Sequence, residues 1–279
     1  MGALPTIAQH AKQHGIEPLK RLGQNFIYDT SLCAKLASSA SINKEDIIIE
    51  IGPGTAGLTR SILQSLPKKL ISIETDKRCL SLLSDIKLLY ENFEIIEGDA
   101  LKIKLSDLTH KEDRCKIVAN LPYNIATTLI IKWLQEGEKI SSINVMVQKE
   151  VAERICATHS TKAYGRLSVI CQTLAETKKL FDISPDSFYP KPKIWSSFIS
   201  LVPKKKIASQ EEIAILEQIT QAAFGMRRKM LRTSLKGVVP TNILGDIDTS
   251  LRAENLTPGD YLGIAKKLWQ EDKNDKKNF

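Results

Sequence analysis

No run of eighteen or more apolar residues occurs anywhere in the 279 residues, which excludes a transmembrane helix. The opening stretch, "MGALPTIAQHAKQHG", lacks an apolar h-region, so no secretory signal is expected. "MGALPT" fits the loose pattern for myristoylation at Gly2, with a chance match as the plainer reading, and residues 1–15 carry no assigned role. Cysteine is sparse. Cys33, Cys79, Cys115, Cys156 and Cys171 are odd in number and widely spread, with no C-x-x-C and no zinc-type cysteine–histidine spacing. That pattern argues against a disulfide framework and a metal site, and for reduced, mostly structural thiols in a cytoplasmic protein. Internal repeats are absent as well.

What is present bounds the answer from the other side. A hydrophobic content of 42% is enough for a core and excludes global disorder. The length suits one large domain with or without a smaller one. Net charge is +8 and the pI about 9.1, as in nucleic-acid binders, membrane-surface binders or simply well-solvated proteins. Position is more telling than the total, because the lysines and arginines cluster late in the chain.

From about residue 43 to 202, short Ile/Val-rich runs alternate with helix-like segments. "DIIIEIG", "KLISIET", "FEIIEGD", "CKIVANL" and "INVMVQK" are nearly continuous in apolar character, as strands buried on both faces of a parallel sheet are. Between them, "GLTRSILQSL", "RCLSLLSDIKLLY" and "IATTLIIKWLQEG" place apolar residues three and four apart. This rhythm predicts a doubly wound α/β domain. "YGRLSVICQTLAET" reads as a helix, after which "KKLFDIS" and "SSFISLVP" follow without a long helix between them. That break predicts an antiparallel pair at one edge. Composition then shifts at "LVPKKKIASQEE", where Ser209 precedes Glu211 and Glu212 as a helix cap. A boundary is placed near residue 203, followed by an all-helical region to about 270 and a charged, frayed tail, "EDKNDKKNF".

"EIGPGTAGLTR" carries Gly52, Gly54 and Gly57 in G-x-G-x-x-G spacing after a strand and before a helix. Glycines there permit a tight turn and bring backbone N–H groups close to a ligand. Glu74 lies 22 residues past Gly52, at the end of the second strand, where a carboxylate can accept from both ribose hydroxyls. An adenosine-containing cofactor follows, either a dinucleotide or S-adenosylmethionine. Asp99 at the end of the third strand can accept from an adenine amine, or simply cap its turn. The fourth strand ends in "NLPY", which has no evident part in hydride transfer.

An exocyclic adenine amine is a poor nucleophile because its lone pair is delocalised into the ring. Two acceptors aimed at its protons would localise that pair. Asn120 Oδ1 can be one and the Leu121 carbonyl the other, with Pro122 setting the chain and Tyr123 stacking on the base. No strong general base is then needed, and catalysis comes from positioning and fixed dipoles. A turn of Asn and Pro at the end of a strand remains the structural alternative.

These residues resemble the ribosomal RNA adenine N6,N6-dimethyltransferases of the KsgA (RsmA) family, and the likeness runs nearly end to end. It is carried by "LGQNFIYD", "IEIGPGTAGLTR", "IETD", "GDAL", "VANLPYNI", "VQKEVAERI", "YGRLSV", "SFYPKPKIWSSFISL", "FGMRRKMLRTSL" and "LTPGDYLGIAKKL". The resemblance implies a Rossmann-like class I fold with a seven-stranded, mostly parallel sheet and a small all-helical C-terminal domain. It implies S-adenosylmethionine as cofactor, held by Gln24, Asn25, Ile27, Gly52, Gly54, Glu74, Asp99, Ala100 and Asn120. Ile27 stands where a leucine is frequent, which a backbone contact should survive. The implied reaction puts two methyl groups on each of two adjacent adenines near the 3′ end of small-subunit rRNA during subunit biogenesis, by a monomer with no membrane partner. Phe188 would form a second aromatic face opposite Tyr123, unless it is a core residue.

Arg227, Arg228, Lys229, Arg232 and Lys236 lie within ten residues of each other and suit either an rRNA backbone contact or a solvated helix face. Lys149, Arg154 and Arg166 could extend the patch. Three rivals stand beside this reading: the related large-subunit enzyme of macrolide resistance, an N-methyltransferase for DNA adenine or protein glutamine, and a non-catalytic assembly factor. The complete "YGRLSV" and C-terminal blocks, the leucine at 121 and the intact Asn25, Glu74, Asp99 and Asn120 weigh against them.

Overall fold

The computed structural model describes residues 4–19, 22–109, 113–205, 207–245 and 247–277; Gly2 lies outside them. The chain opens with two helices that the apolar rhythm does not single out. α1 (Ile7–Gln13) starts at a capping box in which Thr6 and Gln9 satisfy each other's backbone N–H groups. α2 (Thr30–Ser39) is capped by Asp29, which accepts from the N–H groups of Ser31 and Leu32. α1 and its C-cap also carry a histidine pair at i, i+4 that no sequence motif marks. His10 Nε2 and His14 Nε2 lie 3.1 and 2.8 Å from Asp85 Oδ2, and Arg60 Nη2 lies 2.8 Å from His10 Nδ1.

β1 (Ile47–Ile51), α3 (Gly57–Gln64), β2 (Lys69–Glu74), α4 (Lys77–Lys87), β3 (Phe93–Glu97), β4 (Cys115–Asn120), α5 (Ala126–Gln135) and β5 (Ile140–Gln148) follow the expected alternation. β1 is buried at all five positions, as a central strand covered on both faces must be. α6 (Lys149–Ile155) and α7 (Arg166–Leu174) lead to β6 (Ala175–Ile183) and β7 (Ser196–Pro203). The segment 175–177, read above as the end of a helix, belongs to β6. The sheet order is β3-β2-β1-β4-β5-β7-β6, with β1 to β5 parallel and β7 antiparallel to β5 from Ile143↔Leu201 to Gln148↔Ser196. The broken βαβ rhythm after β5 is therefore where the reversed strand enters.

Contacts divide the chain into two units, residues 1–152 with 178–203, and 153–177 with 204–279. Residue 203 is thus one boundary of three, and the α7 segment joins the helical unit. The reason is packing: Tyr164 and Val169 share a core with Leu216, Ile219, Leu231 and Tyr261. Tyr164 also donates its hydroxyl to Leu256 O (3.0 Å). The first unit has its own core, in which Ile48, Leu63, Leu70, Leu82, Phe93 and Phe198 are at most 1% exposed.

In the helical unit, α8 (Gln210–Gly225) begins at the expected Ser209 cap, with Glu212 closing the box. "MRRKMLRTSLKG" is not the helix its pattern predicts. Only α9 (Leu231–Ser234) forms, because Met230 is extended and bridges Arg252, while Leu231 N donates to Leu251 O (2.8 Å). α10 (Thr241–Leu244) and α11 (Pro258–Lys277) complete the unit. The expected frayed tail is helical through Lys277. "EDKNDKK" contains no glycine or proline, and Lys273 Nζ sits 4.9 Å from the Trp269 ring centroid. No described helix is long and apolar enough to cross a membrane.

Candidate active site

The turn after β1 is built on left-handed backbone. Gly52 and Gly54 have φ of +63° and +56°, and Ala56 has +62°. Gly54 N donates to Glu74 Oε2 (3.2 Å). A Cβ on Gly54 would lie 2.9 Å from the Phe26 ring, and one on Gly57 would lie 2.8 Å from Ile27 O. These glycines let the 23–27 segment lie directly against the turn. Gln24 fixes that segment at both ends of its amide, accepting from Leu19 N (2.9 Å) and donating to Asp76 Oδ2 (3.0 Å). Asn25 Nδ2 donates to Gly23 O (3.2 Å), and Ile27 is buried.

Glu74, at the end of β2, is 6% exposed. Burial pushes its carboxyl pKa upward, opposed by the N–H groups of Asp76, Thr75 and Gly54. Asp99 uses Oδ1 to cap its own turn at Leu101 N (2.9 Å), so the bland reading of this residue holds for one oxygen. Lys132, a cation in an otherwise apolar stretch of α5, organises the loop after Asp99. Its Nζ donates to the carbonyls of Ala100 (3.1 Å), Leu101 (2.9 Å) and Ile103 (2.5 Å).

The corner that ends β4 is tied to both sides. Asn120 Nδ2 donates to Asn25 O (3.0 Å), which assigns the amide and leaves Oδ1 as its acceptor end. Leu121 is 1% exposed and its N–H reaches Met146 O (3.3 Å). Pro122 O accepts from Ala126 N (3.1 Å) and so opens α5. Tyr123 shares a hydrogen bond with Ser196 Oγ (2.6 Å), and burial raises its pKa, which keeps the phenol neutral.

These parts enclose a cavity of about 300 Å³. All of the cofactor residues expected from the sequence line it, from Gln24 to Asn120, and so do Leu121, Pro122 and Tyr123. Phe188 does not. It is 5% exposed and packs in the core with Ile183 and Phe198. Its backbone is extended, so its side chain points opposite to that of Tyr189, which is 59% exposed and pinned through its backbone to Phe26 (2.8 Å both ways).

Among the lining residues that no sequence motif marks, Asn124 and Glu50 stand out. Asn124 follows the corner and lies beside Gly23. Glu50 sits inside the run "IIIEI", and an acid in a fully buried strand is the signal that could have found it. Its Oε2 accepts from Thr59 Oγ1 and Ser72 Oγ (2.8 Å each), while Oε1 has no partner among the described residues. Burial pushes its pKa to about 7. An orphaned acceptor in the wall and a glycine turn packed too closely on Phe26 and Ile27 for a Cβ at Gly54 or Gly57 fit a cationic nucleoside cofactor such as S-adenosylmethionine.

In the helical unit, Arg228, Lys229, Arg232 and Lys236 are exposed, as are Arg154 and Arg166. Arg227 is committed inside the unit: it donates to Glu254 Oε2 (2.6 Å) and to the carbonyls of Lys162 (2.8 Å) and Thr161 (3.3 Å). Lys149, in the first unit, pairs with Asp182 (2.9 Å).

A parallel sheet with one reversed strand, a glycine turn and an acid at the ends of β1 and β2, and a polar-aromatic corner after β4 define a Rossmann-like class I methyltransferase. Residues 18–270 match the model of the family described as ribosomal RNA adenine dimethylase, and the chain belongs to that family. Its reaction class is S-adenosylmethionine-dependent methylation of rRNA adenine. The chain is 42% identical over 272 residues to a ribosomal RNA small subunit methyltransferase A from Azorhizobium caulinodans, covering 94% of this chain and 92% of the relative. A crystal structure of a dimethyladenosine transferase from Plasmodium falciparum superposes with a TM-score of 0.77 at 28% identity, covering 88% of this chain and 98% of the other. The 23S rRNA methyltransferase ErmE, at 21% identity and a TM-score of 0.68 over 88% of this chain and all of the other, shares the fold.

Proposed function

We propose that the protein dimethylates the N6 amines of two adjacent adenines near the 3′ end of 16S rRNA, acting as a monomer in the cytoplasm on a pre-ribosomal small subunit. The observation that carries this reading is the Asn120 amide. Its Nδ2 is spent on Asn25 O, so Oδ1 is presented to the cavity as a fixed acceptor. The Azorhizobium relative is a small-subunit methyltransferase, which favours this target over large-subunit rRNA.

S-adenosylmethionine, when bound, supplies an electrophilic methyl group on a sulfonium. The chain's own residues do the rest. Glu74 accepts from the ribose hydroxyls, Asp99 offers Oδ2 to the adenine amine, and Glu50 supplies an acceptor to the cationic end. Gln24, Asn25, Ile27 and Ala100 shape the walls beside Gly52 and Gly54. Asn120 Oδ1 and the Leu121 carbonyl accept hydrogen bonds from the two N–H groups of the target amine and draw its lone pair out of the ring. Tyr123, anchored through Ser196, stacks on the base. Phe188 serves as the packed anchor of the loop carrying Tyr189. Fixed dipoles of this kind stabilise positive charge on the nitrogen without a strong base. Arg228, Lys229, Arg232 and Lys236 contact rRNA phosphates, with Arg227 holding their segment.

Incubation with labelled S-adenosylmethionine and unmethylated small subunits tests the reading. Label on two adjacent adenines near the 3′ end is expected. Label on large-subunit rRNA, on DNA or on protein instead would overturn it.

A further inference from the structure

Aromatic residues make up only 6% of the chain, yet two large ones are presented to solvent in the short loop between β6 and β7. Tyr189 is 59% exposed and Trp195 is 49% exposed, whereas Trp133 is 1% exposed. Neither sits on a loose loop. Tyr189 is held by its paired backbone hydrogen bonds to Phe26, a residue of the cavity wall. Trp195 O accepts from Lys149 N (2.9 Å), and the next residue, Ser196, anchors the Tyr123 hydroxyl. Pro190 and Pro192 stiffen the chain between them. Tyr189 is thus one backbone hydrogen bond from Phe26 in the cavity wall, and Trp195 is joined through the adjacent Ser196 to Tyr123, which lines the candidate active site.

The charge around these rings is of one sign in excess. Between residues 178 and 195 there are four lysines and two aspartates. Lys149 Nζ lies 5.9 Å from the Trp195 ring centroid, Asp182 is engaged by Lys149 and Lys179, and Asp186 by Lys191. Lys193 is exposed. Flat rings on a rigid loop, flanked by lysines, are the chemistry that takes unstacked bases of a single strand, and every base offers a π face. A duplex offers none along its length.

We propose that Tyr189 and Trp195 form a stacking platform for the unpaired nucleotides flanking the target adenines, positioning the strand so that one base at a time reaches Tyr123 and Asn120. This inference rests on the RNA reading of the site and adds to it the residues that hold the substrate outside the cavity. Both are positioning residues, since the chemistry takes place at Asn120.

The test uses the full chain with W195A, Y189A, the double variant and the conservative W195F. On unmethylated small subunits, W195A and Y189A should each raise KM about tenfold with kcat changed less than roughly twofold, and W195F should recover most of the loss. Cofactor affinity should be unchanged. Single-stranded oligoadenylate should quench tryptophan fluorescence in the wild type but far less in W195F, and an RNA duplex of equal length should not. Unaltered KM in the double variant overturns the platform. So does a KM rise seen with intact particles but not with protein-free rRNA, which would assign the loop to a ribosomal protein. If the wild type leaves small-subunit adenines unmethylated, the proposed target fails by itself, and the fluorescence comparison still decides the platform: equal quenching by duplex and single strand, or none by either, overturns it.

Discussion

Asn120 is the residue on which the chemistry turns, and its side chain is fixed by a backbone carbonyl 95 positions earlier in the chain. Replacing it with alanine removes the acceptor while leaving Glu74 and Asp99 in place. Asn120→Ala should therefore lower kcat by at least about 100-fold, as fixed-dipole deletions do, while raising cofactor Kd by far less. Isothermal titration and single-turnover methylation would separate the two effects, and near-normal turnover would end this account of the mechanism. Glu50 carries a different prediction. A carboxyl whose folded pKa is raised by burial to about 7, from an ordinary 4.5, binds its proton more tightly in the folded chain than in the unfolded one. Stability then falls as pH rises from about 4.5 to about 7, by on the order of 3 kcal/mol. Glu50→Gln lacks this loss, so its stability relative to wild type should climb across that window and level off above it. Urea denaturation at several pH values measures the difference. A parallel pair of curves would show that Glu50 does not titrate there.

At the scale of elements, the packing of α2 and α3 depends on one missing side chain. A Cβ on Gly57 would sit 2.8 Å from Ile27 O and 3.1 Å from Cys33 Sγ. The first of these is backbone and cannot swing aside, so the strand-to-helix turn and the 23–27 segment would have to separate. Gly57→Ala should cost about 1–3 kcal/mol of stability and weaken cofactor binding together, since Ile27 lines the cavity. Chemical denaturation and cofactor titration on the same sample report both. The glycine spacing and the strand runs are legible in the sequence because turn φ and two-sided burial are local demands. The interruption at Met230 is not legible, because a bridge to Arg252, later in the same chain, overrides a helical pattern in the 226–237 segment.

At the scale of the whole molecule, the late cluster of basic residues divides by partner. Arg227 is tied to Glu254 and two carbonyls, whereas Arg228, Lys229 and Arg232 are exposed. Neutralising Arg228, Lys229 and Arg232 together should leave the melting temperature unchanged and flatten the salt dependence of RNA binding. Each lost phosphate contact should reduce the slope by about 0.7–0.9. Arg227→Ala should instead lower the melting temperature, by removing a charge-assisted hydrogen bond and orphaning Glu254. An unchanged salt slope in the triple variant would take those residues out of the interface.

The parallel sheet, the glycine turn, the acids at the strand ends and the NLPY corner can all be read from the amino-acid order alone. Each of these depends on residues adjacent in the chain: apolar runs, glycines at left-handed φ, an asparagine before a proline. Which groups meet across long separations is a matter of the folded chain. It set Asn25 O against the Asn120 amide, and Ser196 against Tyr123. It moved the α7 segment into the helical unit, and it sent Phe188 inward and Tyr189 outward. It also exposed Glu50 as a buried acid with an open acceptor, something a strand pattern registers only as an exception. Local preference can specify an element, but the direction and partner of a side chain are settled by what the rest of the fold packs against it.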